Sequence, residues 1–339
     1  MSKLRIGIIG VGGIAQGRHI PAFQSLKDDC VITAVSDVNL ERAKEVAENF
    51  QITHVFEQYQ DMFSEVDAVC ICTPNKFHAE ITIAAFAAGV HVMCEKPMAL
   101  SAAECEEMLA AAKKANKTLK IAYHYRFMKN AQAAKKLMGQ VGTPLVTRVQ
   151  ALRRRKVPGW GVFTNKSLQG GGSLIDYGCH LLDLAIWLMG NPKHITVSGS
   201  TYQALSTKPE GTNEWGAFDR KTFDVDDHVT AYIKFENGAS LLLETSWAAN
   251  ILEDKELVSI SGVDGGISVF PLELYTEKDG MQLNSSAAWL AGEEDPGLAQ
   301  AKNFVDTCLG RTELVVKPEE ALQVSQIIDD IYRSGEEFK

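Results

Sequence analysis

Positive charge is in short supply in this chain. Its 339 residues carry 34 Lys and Arg against 43 Asp and Glu, a net charge of −9. That balance argues against a nucleic-acid partner, because neutralising phosphates needs a basic surface. The one basic cluster, Arg153-Arg154-Arg155-Lys156, is too short to change this; it reads either as an exposed strand end or as a contact for a substrate or cofactor phosphate. Apolar runs of membrane-spanning length are missing, so no membrane partner is expected. The seven cysteines include no C-x-x-C pair, which leaves a zinc site or redox dithiol unsupported, and no metal is expected. Their count is odd and most lie inside apolar runs, Cys70 and Cys72 alternating along one, so the expectation is a reduced, cytoplasmic chain. Low-complexity segments and clear repeats are also lacking. The length and a hydrophobic content of 45% suggest two domains with real cores.

What is present is organised around Leu4 to Ala15, LRIGIIGVGGIA. A continuous apolar run of this kind reads as a buried parallel strand. It breaks into G-x-G-x-x-A, the dinucleotide fingerprint. Gly10 permits the tight turn, Gly12 lets a pyrophosphate approach the backbone, and Ala15 keeps helix and strand close. Gly13 and Ile14 belong to the same phosphate-facing turn. The N–H groups at the start of the following helix, with its dipole, favour an anion. Lys3 and Arg5 before an apolar run superficially suggest a signal peptide, but strand, turn and helix account for the four glycines from Gly7 to Gly13.

Alternation of strands and helices continues through the first half. Ile14 to Lys27 is predicted as a helix that Pro21 kinks or divides. Val31 to Asp37 is the second strand, placing Asp37 where a ribose hydroxyl pair would be held. A carboxylate repels a 2′-phosphate, so NAD is favoured over NADP; Arg42 on the next helix is the residue that counts against this. Asn39 caps the helix Leu40 to Asn49. Asp67 to Thr73 is a strand ending in Pro74-Asn75, and the helix Lys76 to Ala88 ends at Gly89. Val90 to Cys94 is a strand ending in Glu95-Lys96-Pro97. Ser101 caps the helix Ala102 to Ala115, with Glu104 at the capping-box position. Leu119 to Tyr123 is the last strand, followed by His124-Tyr125-Arg126. This pattern predicts a doubly wound parallel sheet, in which ligands bind beyond the carboxyl ends of the strands. Each polar cluster falls at such an end.

The second half reads differently. Met128 to Met138 is predicted as a helix and Leu145 to Leu152 as a strand. Val157 to Phe163 is an irregular loop, either plugged onto the core or forming the wall of a polyol site. Gly170-Gly171-Gly172 leads into Ser173 to Met189, a helix apolar almost all round and therefore buried. On it Asp176, His180 and Asp183 follow at spacings of four and three and share a face. Buried polar groups must be paired or face a cavity; by themselves these three fit a satisfied internal network, a substrate site or, less well, a metal. Ile195 to Thr201, His228 to Phe235, Ala239 to Ala248, Leu257 to Ser261 and Ile267 to Phe270 are predicted strands, with turns at Asn237-Gly238 and Gly265-Gly266. Strands in succession imply a mostly antiparallel sheet. Helices Pro296 to Leu309 and Glu319 to Tyr332 close the chain. The expected fold is thus α/β plus α+β: residues 1–124 a Rossmann domain with a doubly wound parallel sheet, and residues 125–339 an α+β domain with an open, mostly antiparallel sheet covered by helices. The last helix is the element whose domain assignment stays open.

In order and spacing, Gly10-x-Gly12-x-x-Ala15, Cys72-Thr73-Pro74-Asn75 and Glu95-Lys96-Pro97 resemble the glucose–fructose oxidoreductase/inositol dehydrogenase (GFO/IDH/MocA) family. That family comprises NAD(P)-dependent sugar and cyclitol oxidoreductases. The resemblance implies that Lys96, Asp176 and His180 form the catalytic group. It implies that Thr73, Pro74, Asn75 and Glu95 border the cofactor, with His78 and Arg126 nearby, and that Asp183 is a structural partner. It also implies a small polyol or sugar substrate, and a homodimer or homotetramer built through the C-terminal sheet. Hydride transfer between a secondary hydroxyl and nicotinamide needs a proton acceptor, for which imidazole suits His180. It needs a positive donor at the developing alkoxide, for which Lys96 is placed. Competing readings are an NAD-retaining glycosidase or epimerising enzyme, and a catalytically silent NAD-binding sensor. Specificity is assigned to the loops 156–168 and 207–226.

Overall fold

The computed structural model describes residues 3–337; residues 1–2 and 338–339, the outer ends of the two expected domains, lie outside the described residues. The chain divides into two compact units, Met1–Phe127 with Glu293–Leu322, and Met128–Gly292 with Gln323–Lys339.

The apolar runs of the first unit become β1 (Leu4–Ile9), β2 (Cys30–Ser36), β4 (Ala68–Ile71), β5 (His91–Cys94) and β6 (Leu119–Ile121), and an unanticipated three-residue strand, β3 (His54–Phe56), joins them. They pair in parallel, in the order β3-β2-β1-β4-β5-β6. The order reverses between β1 and β4, which opens the crevice where doubly wound sheets bind ligands. β4 and β6 are buried at every position, as apolar runs covered on both faces must be. Asn39 caps the helix Leu40–Phe50 by accepting the Arg42 N–H at 3.1 Å. Ser101 caps Ala102–Ala115 through the Glu104 N–H at 3.3 Å, and the Glu104 carboxylate takes the Leu100 N–H at 2.9 Å, one residue earlier than a standard capping box. The helix expected after the glycine turn is a π-turn, Ala15–His19, running into the α-helix Ile20–Ser25. Pro21, which has no N–H to donate, sits at the change of register. The helix Pro296–Cys308 returns to this unit and sends Ala301, Phe304 and Val305 into its core beside Ile6, Ile20 and Phe23.

The second unit is built on β7 (Pro144–Leu152), β8 (His194–Tyr202), β9 (His228–Phe235), β10 (Ser240–Ser246), β11 (Lys255–Gly262), β12 (Gly265–Val269), β13 (Leu272–Lys278) and β14 (Met281–Ser286). Their order is β14-β13-β12-β11-β7-β10-β9-β8, and only β7 and β10 run parallel. Asn237-Gly238 makes the β9–β10 hairpin, with Gly238 at φ +84°. The turn expected at Gly265-Gly266 is instead Val263-Asp264, and both glycines lie in β12. Gly265 is required by crowding: a Cβ on it would stand 2.7 Å from the Tyr275 carbonyl oxygen. The buried helix begins as a π-turn, Leu174–Gly178, and continues as Cys179–Leu188, packed on β7, β10 and β11. The outer sheet face leaves Tyr232 and Leu242 exposed.

Candidate active site

In the first unit the site residues line the carboxyl edge of the parallel sheet. Gly10 is left-handed at φ +84°, and a Cβ there would lie 2.9 Å from the Cys72 carbonyl and the Thr73 nitrogen. Only glycine lets the turn after β1 lie so close to the end of β4. Beside Gly12 and Gly13, by contrast, a Cβ would meet nothing within 4 Å. The π-turn that follows has Ile14 before it and no side-chain cap. Helix already begins at Gly13, and the Gln16 N–H donates to the Gly12 carbonyl at 3.1 Å. Asp37, 6% exposed, accepts the Val11 N–H at 3.0 Å and the Asn39 N–H at 2.9 Å. Arg42 Nη2 reaches both its oxygens, at 2.7 and 2.9 Å. Burial opposes the charge, but Arg42 and these two amides outweigh it and hold the carboxyl below its ordinary range. The Thr73 hydroxyl is buried with no hydrogen-bond partner. Open space over two glycines at the start of a helix, a fixed carboxylate and an orphaned hydroxyl together fit a dinucleotide.

Further along this edge, Pro74 precedes a turn of 3-10 helix, Asn75–Phe77, with Asn75 buried. His78 is fully buried and spans two strand ends, Nδ1 at 2.9 Å from the Pro97 carbonyl and Nε2 at 3.0 Å from that of Thr73. Glu95 is buried and accepts from His19 Nε2 at 2.7 Å and from the Lys96 N–H at 3.1 Å. Burial opposes its ionisation, yet the hydrogen bond and charge of His19, with Lys96 and Arg18, bring Glu95 down to about 2. Lys96 itself is half-buried at the end of β5. Arg126 is wholly buried, its guanidinium paired with Glu320 and 3.3 Å from the Val315 carbonyl. His19 escaped the sequence reading. It sits in a short π-turn where helical periodicity gives no warning of a buried imidazole.

His19, Cys70 and Cys72 place ligand-type atoms within 4.8 Å of one another. The Cys72 thiol is pushed well up by its contact with Cys70 and by burial, and His19 is engaged with Glu95. Protonated thiols of this kind are core groups rather than an ionised ligand set.

In the second unit the glycines before the buried helix are fixed by packing. A Cβ on Gly171 would meet the Tyr332 hydroxyl at 2.1 Å, and one on Gly172 the Asp226 carbonyl oxygen at 1.9 Å. Asp226 caps the helix start, accepting from the N–H of Gly172 (2.7 Å), the hydroxyl of Ser173 (2.9 Å) and the N–H of Leu174 (3.1 Å). The Tyr332 hydroxyl adds a fourth bond at 2.6 Å. Asp176 lies within the π-turn, and its Oδ2 accepts from Trp247 Nε1 at 3.0 Å and faces Arg153 Nη1 at 3.4 Å. His180 is 7% exposed and Asp183 is fully buried. In the basic cluster the Arg154 guanidinium donates to the Leu252 carbonyl, Lys156 pairs with Asp254, and Arg155 binds Asn250 and the Ala248 carbonyl, while Arg153 turns to the helix. Lys96 belongs to the first unit and Asp176 and His180 to the second. Sequence reading had no means of finding Asp226, Tyr332, Arg153 or Trp247 as partners, since none is near the helix in the chain.

Comparison with known proteins matches both halves. The description "Oxidoreductase family, NAD-binding Rossmann fold" fits residues 4–123, and "GFO/IDH/MocA C-terminal domain" fits residues 131–268. The chain is 36% identical over 340 residues to a D-glucoside 3-dehydrogenase of Escherichia coli strain K12, covering 99% of this chain and 96% of that protein. Among solved structures, levoglucosan dehydrogenase in complex with NADH and levoglucosan aligns with a TM-score of 0.85 at 25% identity, covering 100% and 98% of the two chains. An aldose-aldose oxidoreductase from Caulobacter crescentus, complexed with glycerol, aligns with a TM-score of 0.83 at 26% identity, covering 100% and 99%.

Proposed function

This chain belongs to the GFO/IDH/MocA oxidoreductase family, and on that footing we propose that it moves a hydride between a secondary hydroxyl of a sugar, glycoside or inositol and NAD, in preference to NADP. The observation that carries the reading is the carboxyl edge of β1, β4 and β5, where open glycines, the unpartnered Thr73 hydroxyl and Lys96 follow one another along one sheet. Bound nicotinamide supplies the hydride acceptor or donor. Gly10, Gly12, Gly13 and Ile14 cradle the pyrophosphate, and Asp37 holds the ribose. Thr73, Pro74, Asn75 and Glu95 border the cofactor. His78 acts through the backbone it bridges, and Arg126 through the segment it anchors at Glu320.

His180 takes the hydroxyl proton on oxidation and returns it on reduction, a task suited to imidazole. Lys96 steadies the oxygen with preorganised positive charge. The Lys96 ammonium neighbours Glu95, whose depressed pKa keeps it anionic at neutral pH. Asp176 orients the substrate through its hydroxyls and favours a proton on His180. A second copy of the chain is the natural cover for the sheet face carrying Tyr232 and Leu242.

The test is NADH absorbance with a panel of inositols, hexoses, glycosides and sugar phosphates, NAD and NADP in parallel. NAD-linked turnover on one of these is the expected result. Substrate conversion without net NADH would move the assignment to a cofactor-retaining glycosidase or epimerase. Tight NAD binding with no conversion would move it to a sensor.

A further inference from the structure

We propose that Arg153 is the positioning residue of Asp176, and that it links the loop 207–226 to the substrate-orienting carboxylate; this rests on the role given to Asp176 above. Arg153 directly follows β7, and its backbone is locked by two bonds, its N–H to the Ser246 carbonyl and its carbonyl to the Ala249 N–H, both 2.9 Å. Its guanidinium carbon lies over two rings, 4.3 Å from the Tyr177 centroid and 4.5 Å from the Trp215 centroid. The Tyr177 ring is fixed by its hydroxyl, which donates to Glu256 at 2.7 Å. With both rings against the guanidinium, Nη1 still reaches Asp176 Oδ2 at 3.4 Å. Trp247 Nε1 holds the same oxygen from a fully buried indole.

A planar guanidinium can pack a flat face on a ring and still donate from its edge; a lysine ammonium donates too, but as a compact point charge with no flat face to pack. An ordinary surface ion pair would do little. This pair is different because both side chains are 18% exposed and one partner lies over two aromatic rings.

Trp215 comes from the loop 207–226, and that loop is tied to the chain just beyond Arg153. The Glu214 N–H donates to the Arg155 carbonyl at 2.8 Å, and Asn213 bonds the Val157 N–H and carbonyl at 2.8 and 2.9 Å. Sequence reading marked this loop for specificity without a route to the site. Arg153 is the route. A change of ring at position 215 alters the seat of the guanidinium and so the pose of Asp176, without any contact of the loop with the reacting atoms.

The experiment is a double-mutant cycle on the full-length enzyme with its best sugar from the panel. Arg153→Met is expected to lower kcat about 100-fold, the scale of a misplaced catalytic group, and to leave the KM for NAD within about twofold. Trp215→Phe keeps a ring and should stay near wild type, while Trp215→Ala should lose about tenfold. Arg153→Lys should not rescue. In an Asp176→Asn background Arg153→Met should cost less than about twofold, because its effect passes through that carboxylate. An equal loss in both backgrounds, or a normal kcat for Arg153→Met, overturns the proposal. If the wild type turns over no sugar, or Asp176→Asn works normally, the assigned function is what fails. The crystal structure of Arg153→Met then decides: a carboxylate shifted off Trp247 Nε1 upholds the link, and an unmoved one refutes it.

Discussion

The two regions that carry the proposed chemistry are held in place by different means. At the carboxyl edge of the parallel sheet main-chain groups hold each of the side chains, beside Arg42 on Asp37 and His19 on Glu95. Asp37 is held by the Val11 and Asn39 amides, His78 by the carbonyls of Thr73 and Pro97, and Glu95 takes the Lys96 amide. On the buried helix of the second unit the partners of Asp176 are side chains, Arg153 and Trp247, 23 and 71 residues away in the chain. A group fixed by backbone is as secure as the strand that carries it. A group fixed by side chains can be retuned by one substitution without disturbing the fold. The first arrangement suits a cofactor that does not change, and the second suits a substrate that does.

The largest expected effect tests whether both regions act in the same reaction. Lys96→Met and His180→Ala should each lower kcat by about 10²–10⁴-fold, while NAD affinity, measured by fluorescence titration, stays within a few-fold. Near-normal turnover in either variant would remove that residue from the mechanism.

The next effect concerns stability, and it belongs to the first region. Glu95 has a folded pKa of about 2, below the ordinary value, because His19 and its charged neighbours overcome burial. A carboxyl depressed in this way stabilises the fold above its unfolded pKa and loses that contribution as pH falls toward the folded one. The size is about 3 kcal/mol at neutral pH. Urea unfolding of wild type should therefore weaken between about pH 5 and pH 2 more steeply than that of Glu95→Gln. Parallel profiles would show that the His19–Glu95 pair does not carry this stability.

A pair of glycines sharpens the contrast between the regions. Gly172→Ala forces a Cβ against the Asp226 carbonyl at 1.9 Å, whereas Gly12→Ala meets nothing within 4 Å. The first should cost about 1–3 kcal/mol of stability, the usual scale of overpacking. The second should leave the thermal midpoint unchanged and weaken NAD instead. The same outcome for both variants would mean that the glycine turn is structural and not a cradle.

These contrasts also explain what could be read in advance. The parallel sheet was legible because each strand but β3 is an apolar run that stops at a polar cluster, and because Asn39 and Ser101 announce their helices. The site at that edge is a set of strand ends, so finding the strands found most of it. What the sequence hid is what depends on contacts across the chain. β14 is almost wholly exposed, and β13 buries only Leu272 and Leu274 before it turns polar. β3 has only three residues. Ala301, Phe304 and Val305 look like the apolar stripe of any helix, and nothing local says that it belongs to the first core. Asp226 and Asp227 are adjacent carboxylates that a sequence reader assigns to a loop, yet the first caps the buried helix and the second is pushed up by burial. The Gly265-Gly266 pair was misread because crowding and turning ask for the same residue.

The smallest effect bears on the cofactor. Asp37 is the group that should prefer NAD, yet Arg42 grips both its oxygens. The pairing holds the carboxylate in place beside the Val11 amide, and it also keeps a guanidinium close to where a 2′-phosphate would lie. Removing the carboxylate therefore does two things at once. It deletes an acceptor for the ribose hydroxyls, and it releases Arg42 to meet a phosphate. Asp37→Ala should weaken NAD by about tenfold or more, the loss of a charge-assisted hydrogen bond, and should weaken NADP less or not at all. The ratio of the two kcat/KM values is the quantity to measure. An equal loss for both cofactors would mean that Asp37 serves only to brace the glycine turn through Val11, and the preference for NAD would then have to come from elsewhere in the first unit. Adding Arg42→Ala separates the two contributions: it should abolish any gain for NADP while leaving the loss for NAD as it was.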